Sequence, residues 1–96
     1  MRGENPLPVF QKAYEQFPED VVVTLNYANA LLKYGKKADG ALRVLSDVRN
    51  DSRALFPMAV AYHIKRDWRK AEELLKEAYK QGDDRARAFY GEDAYE

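Results

Sequence analysis

Residue types that commonly carry catalysis are sparse in this chain of 96 residues. His63 is the only histidine, cysteine is absent, and no serine stands in a nucleophile motif. The acidic pairs Asp83-Asp84 and Glu92-Asp93 have no histidine near them in the sequence and lie near predicted helix ends, where capping and dipole effects explain them without a metal. No glycine-rich phosphate loop is present. We therefore expect no catalytic, cofactor-binding or metal-binding residues, and we do not expect an enzyme.

The charge balance argues against two further classes of partner. Sixteen basic residues offset sixteen acidic ones, so the net charge is zero. Nucleic-acid binders need a basic surface that displaces counterions from phosphates, and peripheral membrane anchors need basic clusters. No apolar stretch is long enough to cross a bilayer, and no leader opens the chain. We expect neither nucleic acid nor membrane as a partner and a cytoplasmic location, with a periplasmic one still open.

Helical periodicity dominates the sequence, and turn residues divide it into segments. Asp20 and Asp67 are placed to cap helices, whereas Gly35 and Gly82 are placed to end them. Pro57 lies past the first turn of its helix and should bend or shorten it. The predicted helices lie near residues 6–17, 20–34, 38–50, 53–66, 67–81 and 84–91. Residues 1–5 and 92–96 are predicted to flank one helical domain, 6–91.

Apolar residues repeat within and between these helices. Three sets show the i, i+3, i+4, i+7 spacing of a buried helix face: Thr24, Tyr27, Ala28 and Leu31; Leu55, Met58, Ala59 and Tyr62; Ala71, Leu74, Leu75 and Ala78. Tyr27-Ala28 recurs as Met58-Ala59 after 31 positions, and Ala41 recurs as Ala71 after 30. This self-similarity predicts stacked helical hairpins, each burying its apolar face against a neighbour.

The repeated residues resemble the tetratricopeptide (TPR) pattern. In that family a bulky-small pair and an aromatic residue mark the first helix of a hairpin, and alanine and a bulky residue follow in the second. Met58-Ala59, Tyr62, Trp68, Ala71, Leu75 and Ala78 match one repeat. Tyr27-Ala28, Leu31, Gly35, Ala41, Leu45 and Val48 match another, and Phe10, Ala13 and Pro18 fit the end of a third. Arg66 stands where the turn glycine usually is.

This resemblance implies an all-α fold of antiparallel hairpins, stacked as a short right-handed superhelix of about two and a half repeats. Residues 20–44 also resemble a pentatricopeptide unit, which reads RNA. The period of 30 to 31 residues and the zero net charge speak against that relative.

By the TPR resemblance, the outward side of each hairpin's first helix lines a concave groove for a peptide or helix. The residues predicted to bind a partner there are Leu25, Asn26, Asn29, Lys33, Arg53, Phe56, Val60 and His63. Phe56 and Ile64 fit equally a packing role against the adjacent helix. Trp68, Tyr62 and Tyr79 are expected to pack as core aromatics.

Two functions remain open at this point. The first is a protein–protein interaction module, an adaptor or scaffold, that binds a peptide or helix in its groove. The alternative is a structural assembly segment whose open ends self-associate or pack on a larger parent protein. Residues 6–17 favour the alternative, because Leu7, Val9, Phe10, Tyr14 and Phe17 cover more of the helix than one neighbour can bury. A homo-oligomer is the corresponding partner.

Overall fold

The structure, a computed structural model, describes residues 6–35 and 37–86, and all regular structure in these two ranges is helical. Its α-helices are α1 (Leu7–Gln16), α2 (Val21–Ala30), α3 (Ala38–Leu45), α4 (Leu55–Ile64) and α5 (Trp68–Lys80), and residues 84–86 are helical again. The predicted all-α class is confirmed. The predicted segments 1–5, 87–91 and 92–96 lie outside the described residues.

Aspartate caps begin the helices as the sequence predicted. The Asp20 carboxylate accepts a hydrogen bond from the Val23 backbone N–H at 3.1 Å, and Asp67 accepts one from the Lys70 N–H at 3.3 Å. Each bond satisfies one of the backbone donors that a helix start leaves without an intrahelical partner. These caps fix where α2 and α5 begin.

Two helices end in the same left-handed turn. After α5, Gly82 has φ 88°, and its N–H donates to the Tyr79 carbonyl. The N–H of the next residue, Asp83, donates to the Ala78 carbonyl. After α4, Arg66 has φ 66°, and the corresponding bonds run from Arg66 to His63 and from Asp67 to Tyr62. Both pairs of bonds form the Schellman arrangement, in which glycine is the preferred residue. Arg66 adopts a conformation that its side chain disfavours.

Irregular turns extend two helices and precede a third. A π-helical turn, Leu31–Gly35, continues α2, and a 3₁₀ turn, Ser46–Val48, continues α3. A second 3₁₀ turn, Ser52–Ala54, precedes α4, so Pro57 is the third residue of that helix. A proline there removes a backbone N–H that would lack an intrahelical acceptor in any case. The prediction that Pro57 shortens its helix agrees with this later start.

Consecutive helices pack against each other along the chain, and α2 also touches α4. Alanines occupy many of the closest positions and are almost completely buried: Ala28, Ala41, Ala54, Ala59, Ala61, Ala71 and Ala78. Small side chains allow helix axes to approach within about 8–10 Å, while larger neighbours fill the spaces between them. The first and third predicted faces bury three of their four residues each, whereas the second buries only Ala59 and leaves Leu55, Met58 and Tyr62 half-buried.

The core consists of two clusters. One joins buried residues of α2 and α3 to Ala54 and Ala61, and the other joins Ala59, Leu75 and Ala78 to Ala86. Helix α1 contributes no fully buried residue, and Val9 and Phe17 at its two ends are strongly exposed. Within the described ranges, no helix combines the length and apolarity that crossing a membrane would require.

Candidate functional site

A cavity of about 830 Å³ lies between α2, with its π-helical turn, and α4. We call it the main cavity and define it by its lining residues: Asn29, Leu32, Lys33, Phe56, Val60, His63, Ile64 and Arg85. Asn29 is three residues before Leu32 and four before Lys33, so one face of α2 and its π-helical turn supplies these three side chains. Phe56, Val60, His63 and Ile64 share one face of α4 for the same reason.

Five of the eight predicted partner-binding residues meet in this cavity. They are Asn29, Lys33, Phe56, Val60 and His63. Phe56 and Ile64 have the packing role considered for them, because each packs on a core cluster, and each also lines the cavity. Whether these residues bind a partner stays a prediction.

The other three predicted residues lie elsewhere. Leu25 is only 9% exposed and belongs to the core, because α2 packs against α1, α3 and α4 and little of its circumference stays open. Arg53 lies in the 3₁₀ turn before α4, where its guanidinium donates to both carboxylate oxygens of Asp51. Asn26 is exposed, one turn before Asn29, and lines a different cavity.

That second cavity, the side cavity, is bounded by α1 and by α2 with its π-helical turn. It has a volume of about 200 Å³, and its lining residues are Phe10, Asn26, Asn29, Ala30, Lys33 and Tyr34. Asn29 and Lys33 line both cavities and therefore form the wall between them. The Lys33 ammonium lies 5.4 Å from the centre of the Tyr34 ring, so the aromatic face partly holds this charge.

Arg85 is a cavity residue that the sequence analysis missed. Its guanidinium lies 4.8 Å from the centre of the Phe56 ring, and its Nε and one Nη donate to Asp83 at 3.1 and 2.9 Å. The Asp83 carboxylate also accepts the Arg85 backbone N–H at 2.9 Å. These hydrogen bonds lower the pKa of Asp83 below its ordinary value, despite the opposing effect of burial.

The same aspartate–arginine geometry occurs earlier in the chain. Asp51 accepts the Arg53 backbone N–H at 2.9 Å and binds the Arg53 side chain through both oxygens. The side-chain hydrogen bond is the largest cause that lowers the pKa of Asp51 to about 2. The repeated Asp-x-Arg pattern, 32 positions apart, was the signal that could have identified Arg85 from the sequence.

Trp68 was expected to pack in the core, and this prediction is wrong. Its side chain is 56% exposed and its ring stands edge-on to His63, with ring centres 4.8 Å apart. Trp68 is the first residue of α5, directly after the capping Asp67, so it lies at the end of the α4–α5 hairpin. Tyr62 and Tyr79 are half-buried, as a packing role requires.

Groups that could hold a metal ion do not come together in the part of the chain that the structure describes. The residues of α4 that line the main cavity are apolar apart from His63. The charged residues in its lining, Lys33 and Arg85, are basic and come from other segments.

Comparison of the chain with models of protein families, with curated proteins and with solved structures gives no match.

Proposed function

We propose that this chain is a protein–protein interaction module that holds a peptide or helix of its partner in the main cavity. The observation that carries the proposal is the convergence of α2 and α4 side chains on one open apolar surface with an amide at its edge. Leu32, Phe56, Val60 and Ile64 supply apolar contact. Asn29 can donate to and accept from a peptide backbone, which fixes register without demanding a sequence.

A TPR-like arrangement of the hairpins is part of this proposal. Asp20, Asp51 and Asp83 stand 31 and 32 positions apart, and each accepts a backbone N–H where a helical segment starts. On this interpretation α2, α4 and the segment from residue 84 are equivalent first helices of successive hairpins. Equivalent first helices share one side of a stacked array, and Asn29, Phe56 and Arg85 then belong to one groove.

The size of the apolar surface limits the expected affinity. Each large apolar group contributes roughly 1.5–3 kcal/mol when it is fully covered, whereas association costs on the order of 4–15 kcal/mol. Four such groups give at most about 12 kcal/mol, and Leu32 is already buried, so even the most favourable balance of about 8 kcal/mol corresponds to a dissociation constant of about micromolar order and no tighter. The module would therefore exchange its partners readily.

The proposal is tested by selecting short random peptides on the full chain and measuring their binding by fluorescence anisotropy. Asn29→Ala should weaken selected peptides by about 1–2 kcal/mol, or roughly 5- to 30-fold, because it removes the amide contact to the peptide backbone. Helical content, measured by circular dichroism, should not change. Asn50→Ala, the same substitution at an exposed turn, is the matched control and should leave binding intact.

Phe56→Ala should weaken the same peptides through loss of apolar contact. Because Phe56 also packs on the core, its unfolding midpoint must be measured alongside. Peptides that bind the Asn29 and Phe56 variants as tightly as the parent would show that the main cavity is idle.

A structural assembly segment remains the second candidate function, and one observation favours it. Helix α1 has no fully buried residue, and Val9, Phe17 and Val22 expose half or more of their surface. Apolar side chains at an open end of a helical array are normally covered by a further repeat, a cap or another copy. This candidate makes a separate prediction about mass in solution, given in the Discussion.

A further inference from the structure

Among the ionisable side chains that line the main cavity, every described one is basic. Lys33, His63 and Arg85 surround a surface otherwise formed by one amide and four apolar residues. In a chain with equal numbers of acidic and basic residues, this bias is local and does not follow from overall charge. It bears directly on the chemistry of the occupant.

Arg85 is the best positioned of these basic side chains. Two of its N–H groups donate to Asp83, and its guanidinium lies over the Phe56 ring at 4.8 Å. Both contacts hold the planar group at the cavity edge, so little side-chain entropy would be lost when it binds a ligand. A guanidinium has five N–H donors, and the remaining ones can form charge-assisted bonds to a carboxylate.

Lys33 stands on the opposite helix at the wall between the two cavities. It is exposed, and among the described residues no carboxylate lies within ion-pair distance of its ammonium. A ligand that crosses from α4 to α2 would therefore meet Arg85 beside Phe56 and Lys33 on the π-helical turn that continues α2. An occupant with acidic groups beside an apolar side chain matches this order of charges.

We infer that the partner segment is an acidic–apolar peptide, in which Asp or Glu stands beside a large aliphatic or aromatic residue, and that Arg85 determines this specificity. The inference rests on the proposed function and names the ligand chemistry of the same cavity. The apolar side chain would lie on Phe56, Val60 and Ile64. The neighbouring carboxylate would bind Arg85, with Lys33 as the second cationic contact.

The test repeats the random-peptide selection with the parent, with Arg85→Glu and with Arg69→Glu. Arg69 is exposed on α5 and does not line the main cavity, so its variant carries the same change of charge at a position outside the cavity. Peptides selected on the parent and on the Arg69 variant should be enriched in Asp or Glu next to large apolar residues. That enrichment should disappear on the Arg85 variant.

One selected peptide then gives the quantitative result. Arg85→Glu should raise its dissociation constant by about tenfold or more, since a like charge replaces the contact. Changing the peptide's acids to amides should weaken binding to the parent similarly, yet add little to the Arg85 variant. Lys33→Glu is the second variant, which keeps the test decisive if Arg85→Glu disturbs the helical segment from residue 84. It too should weaken the acidic peptide.

Four results would overturn the inference. The selected peptides could lack acidic bias and bind the Arg85 and Lys33 variants normally, yet bind the Asn29→Ala variant more weakly. That result would contradict the acidic specificity and support the proposed function. Peptides indifferent to all of these variants would remove both. If a single-stranded oligouridylate displaces the peptide, the occupant of the cavity is RNA. If the mass in solution depends on concentration and Arg85→Glu abolishes that dependence, the occupant is a second copy of the chain.

Discussion

Arg66 occupies a backbone position that suits glycine. Its φ of 66° is the left-handed conformation, which costs an L-residue roughly 1–2 kcal/mol, whereas glycine adopts it freely. The hydrogen bonds of the turn after α4 involve only backbone groups and would survive the change. The missing glycine of the repeat pattern is therefore a local energetic cost that the surrounding helix packing outweighs.

Arg66→Gly should accordingly raise the free energy of unfolding by about 0.5–1 kcal/mol, after the larger entropy of glycine in the unfolded chain is subtracted. Urea denaturation measures this change. Arg43→Gly, the same substitution near the end of α3, should lower stability by up to about 1 kcal/mol. A lower urea midpoint for the Arg66 variant would show that its side chain stabilises the turn.

Asp51 provides a pH-dependent contact at the start of α4. Its pKa is lowered to about 2, chiefly by the side-chain hydrogen bond from Arg53 and next by the backbone N–H. A carboxylate whose pKa is lowered on folding stabilises the folded state at pH values above its ordinary pKa. That contribution is lost as the pH falls from about 4 towards 2.

Arg53→Ala should move the pKa of Asp51 upwards, towards its ordinary value, without restoring it fully because the backbone hydrogen bond remains. Titration of the carboxyl resonance by NMR measures the shift. Arg49→Ala is the control, since Arg49 donates to the Ser46 carbonyl instead. An unchanged Asp51 titration in the Arg53 variant would assign the low pKa to another cause.

At the scale of elements, the contact between α4 and α5 depends on small residues. Ala71, Leu75 and Ala78 are all almost fully buried on one face of α5. Ala71→Leu should lower the free energy of unfolding by about 1–3 kcal/mol, because the larger side chain forces the two helices apart. Glu73→Leu, on the exposed side of α5, should change it by less than about 0.5 kcal/mol. Equal urea midpoints for the Ala71 variant and the parent would contradict this register.

Helix positions were predictable because their signals are local. Asp20, Asp67 and Gly82 act within one turn of where they stand, and the i, i+3, i+4, i+7 spacing identifies a buried face wherever the opposite face is polar. The π-helical turn after α2 has no comparable signal. It closes through a bond from the Lys37 N–H to the Leu31 carbonyl, which neither residue's type specifies.

The candidate site was predictable only in part, and α2 shows why. This helix is apolar or small on nearly every side, so its sequence does not distinguish the face that packs from the face that stays open. Leu25 was therefore predicted to lie outside, although it is buried, whereas Asn29 and Lys33 do line a cavity; whether they bind a partner stays a prediction. Arg85 was missed because its role depends on Phe56, which is distant in the sequence and becomes a neighbour through packing alone.

For the whole molecule, the exposed side of α1 predicts self-association. Val9 is 70% exposed and Phe17 58% exposed. We expect light scattering to give a mass that rises above the 11.1 kDa of one chain as concentration increases. Val9→Asp should return it towards the monomer, because burying an unpaired carboxylate in an apolar contact is costly. Lys12→Asp, on the same helix, is the control.

A monomer mass over a hundredfold range of concentration would exclude this association and weaken the assembly function. The prediction of association through α1 and the prediction of peptide binding in the main cavity are independent, because α1 does not line the main cavity. Association through α1 together with intact peptide binding would describe a module that joins its own copies and a partner at once.

The wall between the main and side cavities consists of Asn29 and Lys33, two side chains one turn of helix apart. On the proposed function, these two side chains would limit the length of ligand that can lie between Phe56 on α4 and Phe10 on α1. Neither position is fully buried, so substitutions there are expected to carry a small stability cost. We expect alanine at both positions to join the two cavities into one longer groove without altering the fold.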